Sequence, residues 1–101
     1  MRFVMHVSMP PPKFNEAVLD GTVGQKIGRI LEDTKPEGVY FCANDGKRGA
    51  YLIIDMKETS EMARLAEPWF LLFDANVEFL PTMTPEDLRK AGLETLAKKW
   101  K

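Results

Sequence analysis

The chain has 101 residues, of which 45% are hydrophobic and 29% are charged, a composition typical of a folded globular domain rather than a disordered segment. Its 14 basic and 15 acidic residues give a net charge of -1, and the missing basic excess argues against a nucleic-acid partner. The longest apolar run, Trp69–Phe73, is far shorter than the about 20 residues of a membrane helix, and the single cysteine excludes an internal disulfide framework.

The first predicted elements are a strand and a long helix. Residues 3–9 alternate between two faces, which is the period of a strand, and the three prolines at 10–12 end it. Apolar residues then recur every three or four positions over residues 13–34, which predicts one amphipathic helix.

Three glycines interrupt this predicted helix, each weakening it by about 1 kcal/mol relative to alanine. Gly21, Gly24 and Gly28 have a spacing that matches no phosphate-binding fingerprint, so a phosphate loop is disfavoured. We attribute the glycines to close contact between helix and sheet, or to a break near Gly21.

The rest of the chain predicts a hairpin, a helix, a strand and a terminal helix. Strands at 39–43 and 50–56 flank the turn-forming sequence 44–49. A helix over 59–67 should end at Pro68, leaving residues 69–73 as a bulky aromatic plug. A fourth strand is predicted over 75–81, and Thr84 should cap a helical extension over 84–101.

The order β-α-β-β-α-β identifies an α+β, ferredoxin-like domain over residues 1–101, with the terminal helix as an extension. Right-handed crossovers then require a four-stranded antiparallel sheet in the order 4-1-3-2, with the helices on one face.

Alternation sorts the strand residues onto two faces of this sheet. One face is wholly apolar and should lie under the helices: Phe3, Met5, Val7, Val39, Phe41, Ala50, Leu52, Ile54, Val77 and Phe79. The other face is mixed: Val4, His6, Ser8, Tyr40, Cys42, Asn44, Tyr51, Ile53, Asp55, Glu78 and Leu80. Such a face is too apolar for solvent alone and too polar for a core, which predicts that a partner covers it, most simply a second copy.

Two segments carry a resemblance to a known group. One is Arg2-Phe3-Val4-Met5, which leads into a helix after a short gap, and the other is Glu67-Pro68-Trp69-Phe70 followed by Val77–Pro81. They resemble the dimeric α/β-barrel proteins, in particular muconolactone isomerase-like proteins and an uncharacterised family of small bacterial proteins. The resemblance spans about residues 1–90. It implies a homodimer or higher homo-oligomer in which two sheets pack face to face with the helices outside.

His6, the only histidine, lies on the central first strand, where Tyr51 and Glu78 should flank it on the neighbouring strands. Pairing across the hairpin is expected to put Cys42 beside Tyr51. A histidine next to a carboxylate can transfer protons, because imidazole titrates near neutral pH and the carboxylate can orient it. We therefore assign His6 and Glu78 as candidate catalytic residues. The expected pocket lining is Ser8, Tyr40, Cys42, Tyr51, Trp69 and Phe73, with Asn44 nearby.

The same polar residues also have a structural interpretation, in which their hydrogen bonds fix the register of a subunit interface. Cys42 is a weaker candidate nucleophile, because no basic neighbour in the sequence would favour its thiolate. One histidine and one cysteine lack the spacing of a metal site, so we expect neither a metal nor another cofactor.

Together these features predict an isomerase or cofactor-free monooxygenase, the activities that the resemblance implies, acting on a small organic acid or polyketide-like substrate. The isomerase's catalytic residues have no position-by-position match in this chain. The alternative is a non-catalytic dimer that binds a small molecule or has a structural role. We expect a cytoplasmic protein without membrane or nucleic-acid partners, since the first residues lack the apolar stretch of a secretion signal.

Overall fold

A computed structural model, which describes all 101 residues, contains four strands and five helices. The strands are β1 (Arg2–Met9), β2 (Gly38–Asn44), β3 (Lys47–Asp55) and β4 (Asn76–Pro81). The helices are α1 (Pro11–Leu19), α2 (Val23–Thr34), α3 (Glu61–Phe73), α4 (Pro85–Lys90) and α5 (Leu93–Lys99). None of these helices is long and apolar enough to cross a bilayer.

The four strands form one antiparallel sheet in the order β2-β3-β1-β4. This is the predicted order seen from the other edge, and it is compatible with a ferredoxin-like fold. The central strand β1 pairs along most of its length with β3 on one side and β4 on the other. Residues on β1 therefore have cross-strand neighbours on both sides.

The core lies between one face of the sheet and the helices α1, α2 and α3. The face predicted to be apolar supplies Phe3, Met5, Val7, Ala50, Leu52 and Ile54, which are all buried. From α3, Trp69 and Phe73 are fully buried against them. Phe41 is the exception on this face, because it lies on the edge strand β2 and remains 53% exposed.

The prediction of one long first helix is wrong, because a turn separates α1 from α2. The turn lies at Gly21, where one of the two explanations of the glycines placed a break. Gly21 has a φ of 81°, a left-handed conformation that side chains disfavour. The Asp20 carboxylate accepts hydrogen bonds from both the backbone N–H and the hydroxyl of Thr22, which fixes the turn. The other explanation, close helix–sheet contact, does not apply to Gly24 or Gly28, because a Cβ at either would meet no atom within 4 Å.

The prediction that Pro68 ends the second helix is also wrong, since α3 continues through it to Phe73. A proline inside a helix removes one backbone hydrogen bond and costs about 3 kcal/mol. Continuing the helix buries Trp69 and Phe73 completely, and each such side chain contributes roughly 1.5–3 kcal/mol. Burial on the far side of Pro68 therefore outweighs the local penalty.

The hairpin between β2 and β3 has a two-residue turn rather than the six-residue loop predicted. Asp45 and Gly46 both have positive φ, at 54° and 72°, which is the type I′ geometry that matches the twist of the strands. Asn44 consequently pairs with Lys47, and Cys42 pairs with Gly49 instead of Tyr51. The shift equals two residues, so every side chain keeps its predicted face.

Residues 82–101, which we call the C-terminal arm, extend away from the rest of the domain. The predicted cap is present, because the Thr84 hydroxyl accepts from the Asp87 N–H while the Asp87 carboxylate accepts from the Thr84 N–H. The single predicted helix is instead divided by Gly92, whose φ is 71°. The radius of gyration is 17.0 Å, against about 13 Å for a compact domain of this size.

Candidate functional site

The candidate site lies on the face of the sheet that no helix covers, which we call the open face. His6 on β1 pairs with Tyr51 on β3 and with Glu78 on β4. Tyr51 pairs in turn with Tyr40 on β2, so one row of polar and aromatic side chains crosses the middle of the sheet. The structure thus brings His6, Tyr51 and Glu78 together.

The imidazole of His6 has a neighbour on each of three sides. The Tyr51 ring stacks on it with centroids 4.4 Å apart and an angle of 8° between the planes. His6 Nδ1 lies 4.0 Å from Glu78 Oε1, and Nε2 lies 3.4 Å from Asn44 Nδ2. These neighbours leave the His6 side chain 13% exposed, whereas Glu78 is 69% exposed.

The two ring nitrogens of His6 face groups of opposite character. Nδ1 faces a carboxylate, which can only accept a hydrogen bond when it is ionised. Nε2 faces the amide nitrogen of Asn44, which is a donor and also donates to the Tyr51 hydroxyl at 3.1 Å. This arrangement favours the neutral tautomer with the proton on Nδ1. The lone pair of Nε2 is then directed at the Asn44 amide.

Gly49 explains how Asn44 reaches this cluster although it lies four residues along β2 from Tyr40, the partner of Tyr51. On the open face, Gly49 occupies the β3 position between Lys47 and Tyr51. A Cβ at Gly49 would lie 3.1 Å from the carbonyl oxygen of Val7, so a larger residue here would push the backbone of β1 away by a few tenths of an ångström. Without a β3 side chain between them, the Asn44 amide contacts Tyr51 directly.

The other residues expected to line the pocket fall into two groups. Ser8 and Cys42 occupy the next row of the open face, one on each side of Gly49, and Tyr40 lies at the sheet edge with 66% exposure. Trp69 and Phe73 are placed elsewhere, because they are fully buried between the helices and the opposite face. They do not share a surface with His6, since α3 packs on the side of the sheet away from it.

An apolar row borders the site on one side and a cation borders it on the other. Val4, Ile53 and Leu80 lie side by side across β3, β1 and β4, two residues from the His6 row. Beyond Gly49, Lys47 belongs to the same face and forms no ion pair. The open face therefore offers apolar contact and a free positive charge on either side of a polar centre.

The clear electrostatic shifts among carboxyl groups do not involve Glu78. At the end of β3, the N-terminal ammonium donates a hydrogen bond to Asp55 and lowers the pKa of that carboxyl. The other shifted carboxyls belong to turns and caps. Backbone N–H groups of Glu58 and Lys57 lower the pKa of the Glu61 carboxyl, and hydrogen bonds from Thr84 lower the pKa of Asp87. No group of three or more histidine, cysteine or acidic side chains is arranged so that it could hold a metal ion.

Two surface cavities lie on the helical side of the sheet, and sequence reasoning identified neither. The larger, about 760 Å³, lies between α2 and α3 and is lined mainly by charged side chains of both signs. The smaller, about 560 Å³, lies between α2 and the hairpin end of β2 and β3 and is almost entirely apolar. Gly24 and Gly28, which the sequence analysis singled out, both line it.

Comparison of the chain with models of protein families and with curated proteins finds no match. The coarse expectation of a small α+β domain with a four-stranded antiparallel sheet is confirmed by the structure. Membership of the dimeric α/β-barrel group stays a prediction that rests on the two resembling segments.

Proposed function

We propose that the open face is the active site of a cofactor-free proton-transfer enzyme, an isomerase acting on a small organic acid that carries a carbonyl group. The observation that carries this proposal is the position of His6, which is stacked on Tyr51 and lies between a carboxylate at one ring nitrogen and the Asn44 amide at the other.

The reaction starts with removal of a proton from the carbon next to the substrate carbonyl. Nε2 of His6 accepts that proton, and the electron pair of the broken C–H bond moves to the carbonyl oxygen, which becomes an enolate. A substrate that reaches Nε2 takes the place of the 3.4 Å contact with the Asn44 amide. The N–H that Asn44 thereby frees, and the Tyr51 hydroxyl to which Asn44 remains bonded, can then donate hydrogen bonds to the enolate oxygen. Where a C=C bond adjoins the deprotonated carbon, the enolate is a dienolate. Return of the proton from His6 to its far carbon then moves the double bond, re-forms the carbonyl group and regenerates neutral His6.

Glu78 acts on this reaction through His6. A carboxylate at Nδ1 favours the tautomer in which Nε2 is unprotonated, and it stabilises the imidazolium that forms when Nε2 takes the proton. The 4.0 Å separation exceeds a hydrogen bond, but catalytic hydrogen bonds are often long before a substrate is bound.

The surroundings of the row suggest the substrate class. Lys47 supplies a positive charge for a carboxylate, while Val4, Ile53 and Leu80 supply an apolar surface for the remaining carbon skeleton. A small, partly apolar organic acid has both features.

A second copy of the chain is expected to close the site. An open face leaves Glu78, Tyr40 and Leu80 exposed to water, which weakens electrostatic stabilisation. The C-terminal arm also favours a second copy. Its helices α4 and α5 have 6 and 7 residues, and helices shorter than about 12 residues are only marginally stable unless they pack against another surface. Its exposed apolar side chains are Met83, Leu88, Leu93, Leu96 and Trp100.

Charge also favours contact between the arm and another copy's body. The arm has five basic and three acidic residues, a net charge of +2. The remaining residues, 1–81, then have nine basic and twelve acidic residues, a net charge of -3. The two parts are thus electrostatically complementary, while in a single chain α4 and α5 make no extensive contact with any other element.

Binding without catalysis is the second candidate function, and the exposure of Glu78 favours it. A carboxylate that is 69% exposed is well hydrated and orients the imidazole less than a buried one. In that case the same row would recognise a ligand without transferring a proton.

Solvent deuterium exchange separates these candidates. Levulinate and α-angelica lactone, two small carbonyl compounds with exchangeable C–H protons, are incubated with the protein in D₂O and followed by ¹H NMR. The proposal expects exchange above the buffer rate, reduced by about 10²–10⁴-fold in His6→Gln. Equal rates for the parent, His6→Gln and buffer would contradict proton-transfer catalysis. The control variant is Glu67→Gln, which lies on α3 away from the open face.

A further inference from the structure

The smaller cavity lies on the opposite side of the sheet from His6, so an inference about it is independent of the proposed proton transfer. Val23, Ile27 and the two glycines of α2 form one wall, and Phe14, Phe41 and Met9 form much of the rest. Its volume of about 560 Å³ falls within the roughly 300–1,000 Å³ of small-molecule sites, which are mostly apolar with a few placed polar groups.

Neither the backbone nor the packing of the chain requires the glycines in this wall. Gly24 and Gly28 are one helical turn apart on α2, and neither has a positive φ. An added Cβ would meet nothing within 4 Å at either position. Glycine disfavours a helix compared with alanine, so the two residues weaken α2 without relieving any contact inside the chain. What they provide is space along this wall of the cavity.

Arg48 is the one charged residue in the cavity lining. Its guanidinium carbon lies 4.5 Å from the ring centroid of Phe14, and Nη1 donates a 2.7 Å hydrogen bond to Asn15. These contacts hold the planar group in place, yet Arg48 pairs with no carboxylate of the chain. A fixed guanidinium without an acidic partner is suited to bind a carboxylate, because its donors match that geometry.

We propose that this cavity is a binding site for an apolar carboxylate, such as a medium-chain fatty acid or an aryl-alkyl acid. The carboxylate pairs with Arg48 at the rim, and the hydrocarbon part lies along Gly24 and Gly28 against Ile27 and Phe41. The ligand occupies the space beside Gly24 and Gly28, so a larger side chain at either position would block its binding.

Decanoate is the probe for this site, and isothermal titration calorimetry is the measurement. We expect saturable binding to the parent, a loss of at least about tenfold in affinity for Arg48→Gln, and a comparable loss when decanol replaces decanoate. Gly28→Leu should abolish binding, because the leucine side chain would fill the space along the α2 wall of the cavity. Gln25→Leu, which places the same side chain on the exposed side of α2, should bind like the parent.

Thermal unfolding of each variant shows whether a loss of binding comes from loss of the fold. Gly28→Leu should be at least as stable as the parent, because leucine favours a helix more than glycine and has open space. Absence of decanoate binding to the parent, or parent-like binding by folded Gly28→Leu, would overturn the proposal. A change of oligomeric mass in Gly28→Leu without a change in decanoate affinity would instead identify the cavity as a contact between copies. His6→Gln should leave decanoate binding unchanged, so failure here is distinct from failure of the proposed function.

Discussion

The imidazole of His6 lies flat against the phenol ring of Tyr51, with centroids 4.4 Å apart and planes within 8° of parallel. The stack covers one face of the imidazole, and the Tyr51 hydroxyl accepts a hydrogen bond from the same Asn44 amide that faces Nε2. Tyr51 therefore has two separable contributions to the proposed site: its ring positions His6, and its hydroxyl stabilises the enolate.

Tyr51→Phe and Tyr51→Leu should separate these contributions. Phenylalanine keeps the stack and removes the hydroxyl, so we expect kcat for the deuterium exchange to fall by about 10²-fold, the usual loss of one oxyanion donor. Leucine removes the stack as well and should lower the rate further. The two variants would have equal rates if the stack had no positioning role, and Tyr51→Phe would match the parent if the hydroxyl had none.

The molecular mass of the protein in solution tests whether a second copy of the chain covers the open face. Light scattering should give at least twice the 11.5 kDa of one chain. Ile53→Asp should reduce that mass, because it would bury an unpaired charge in the proposed interface on the open face. Leu96→Asp should do the same through the C-terminal arm, whereas Thr95→Asp, its neighbour on α5, should not. A monomeric parent would rule out the barrel arrangement.

Trp69 should be the most costly side chain to remove. It is fully buried, and truncating a buried aromatic residue to alanine costs about 3–5 kcal/mol of a total unfolding free energy of roughly 5–15 kcal/mol. Trp69→Phe should cost much less, because it keeps an aromatic ring and removes an indole N–H that is buried without a partner.

Phe70 provides the matched control for Trp69, since it is adjacent on α3 but 38% exposed. The plug predicted from the sequence treats the two residues alike, and the structure distinguishes them. Chemical denaturation should show a much smaller loss for Phe70→Ala than for Trp69→Ala. Equal losses would mean that both side chains are buried in solution, for instance by a second copy.

Glu61 should make the stability of the fold depend on pH in the acid range. Its carboxylate accepts hydrogen bonds from the backbone N–H groups of Glu58 and Lys57, which lower its pKa below the ordinary value of 4.5. A lowered pKa in the folded state stabilises the protein above the unfolded pKa, and this stabilisation is lost as the pH falls through the folded value.

Glu61→Gln should therefore be less stable than the parent at pH 7, and the difference should shrink as the pH falls below 4.5. Chemical denaturation at several pH values measures it. Glu67→Gln is the control, because Glu67 is exposed on the same helix and makes no hydrogen bond. A difference that stays constant from neutral to acid pH would show that the ionised form of Glu61 does not strengthen these hydrogen bonds.

Sequence patterns predicted the features that depend on local periodicity. Alternation identified the buried face from Phe3 to Ile54, and the β-α-β-β-α-β order with right-handed crossovers led to the sheet order. That order is enough to place Tyr51 and Glu78 beside His6, since β1 is central and a single register connects all three residues.

The sequence-based predictions were wrong where contacts between residues that are remote in sequence determine the local structure. Pro68 ends a helix in isolation, but burial of Trp69 and Phe73 carries α3 through it. Trp69 and Phe73 were predicted to line the pocket at His6, and the structure buries them between the helices and the opposite face of the sheet. Strand alternation cannot place them, because they do not lie on a strand. The apolar cavity was missed, since its walls come from helix, hairpin and strand residues that are remote in sequence.

The most direct test of the central proposal, that Nε2 of His6 is a proton acceptor, is the tautomer of this single histidine. Long-range ¹H–¹⁵N NMR at about pH 9, where histidine side chains are ordinarily neutral, distinguishes the two ring nitrogens. We predict that Nδ1 carries the proton in the parent, and that Glu78→Gln shifts the population toward the Nε2–H form. A proton on Nε2 in the parent, with no response to Glu78→Gln, would contradict the account.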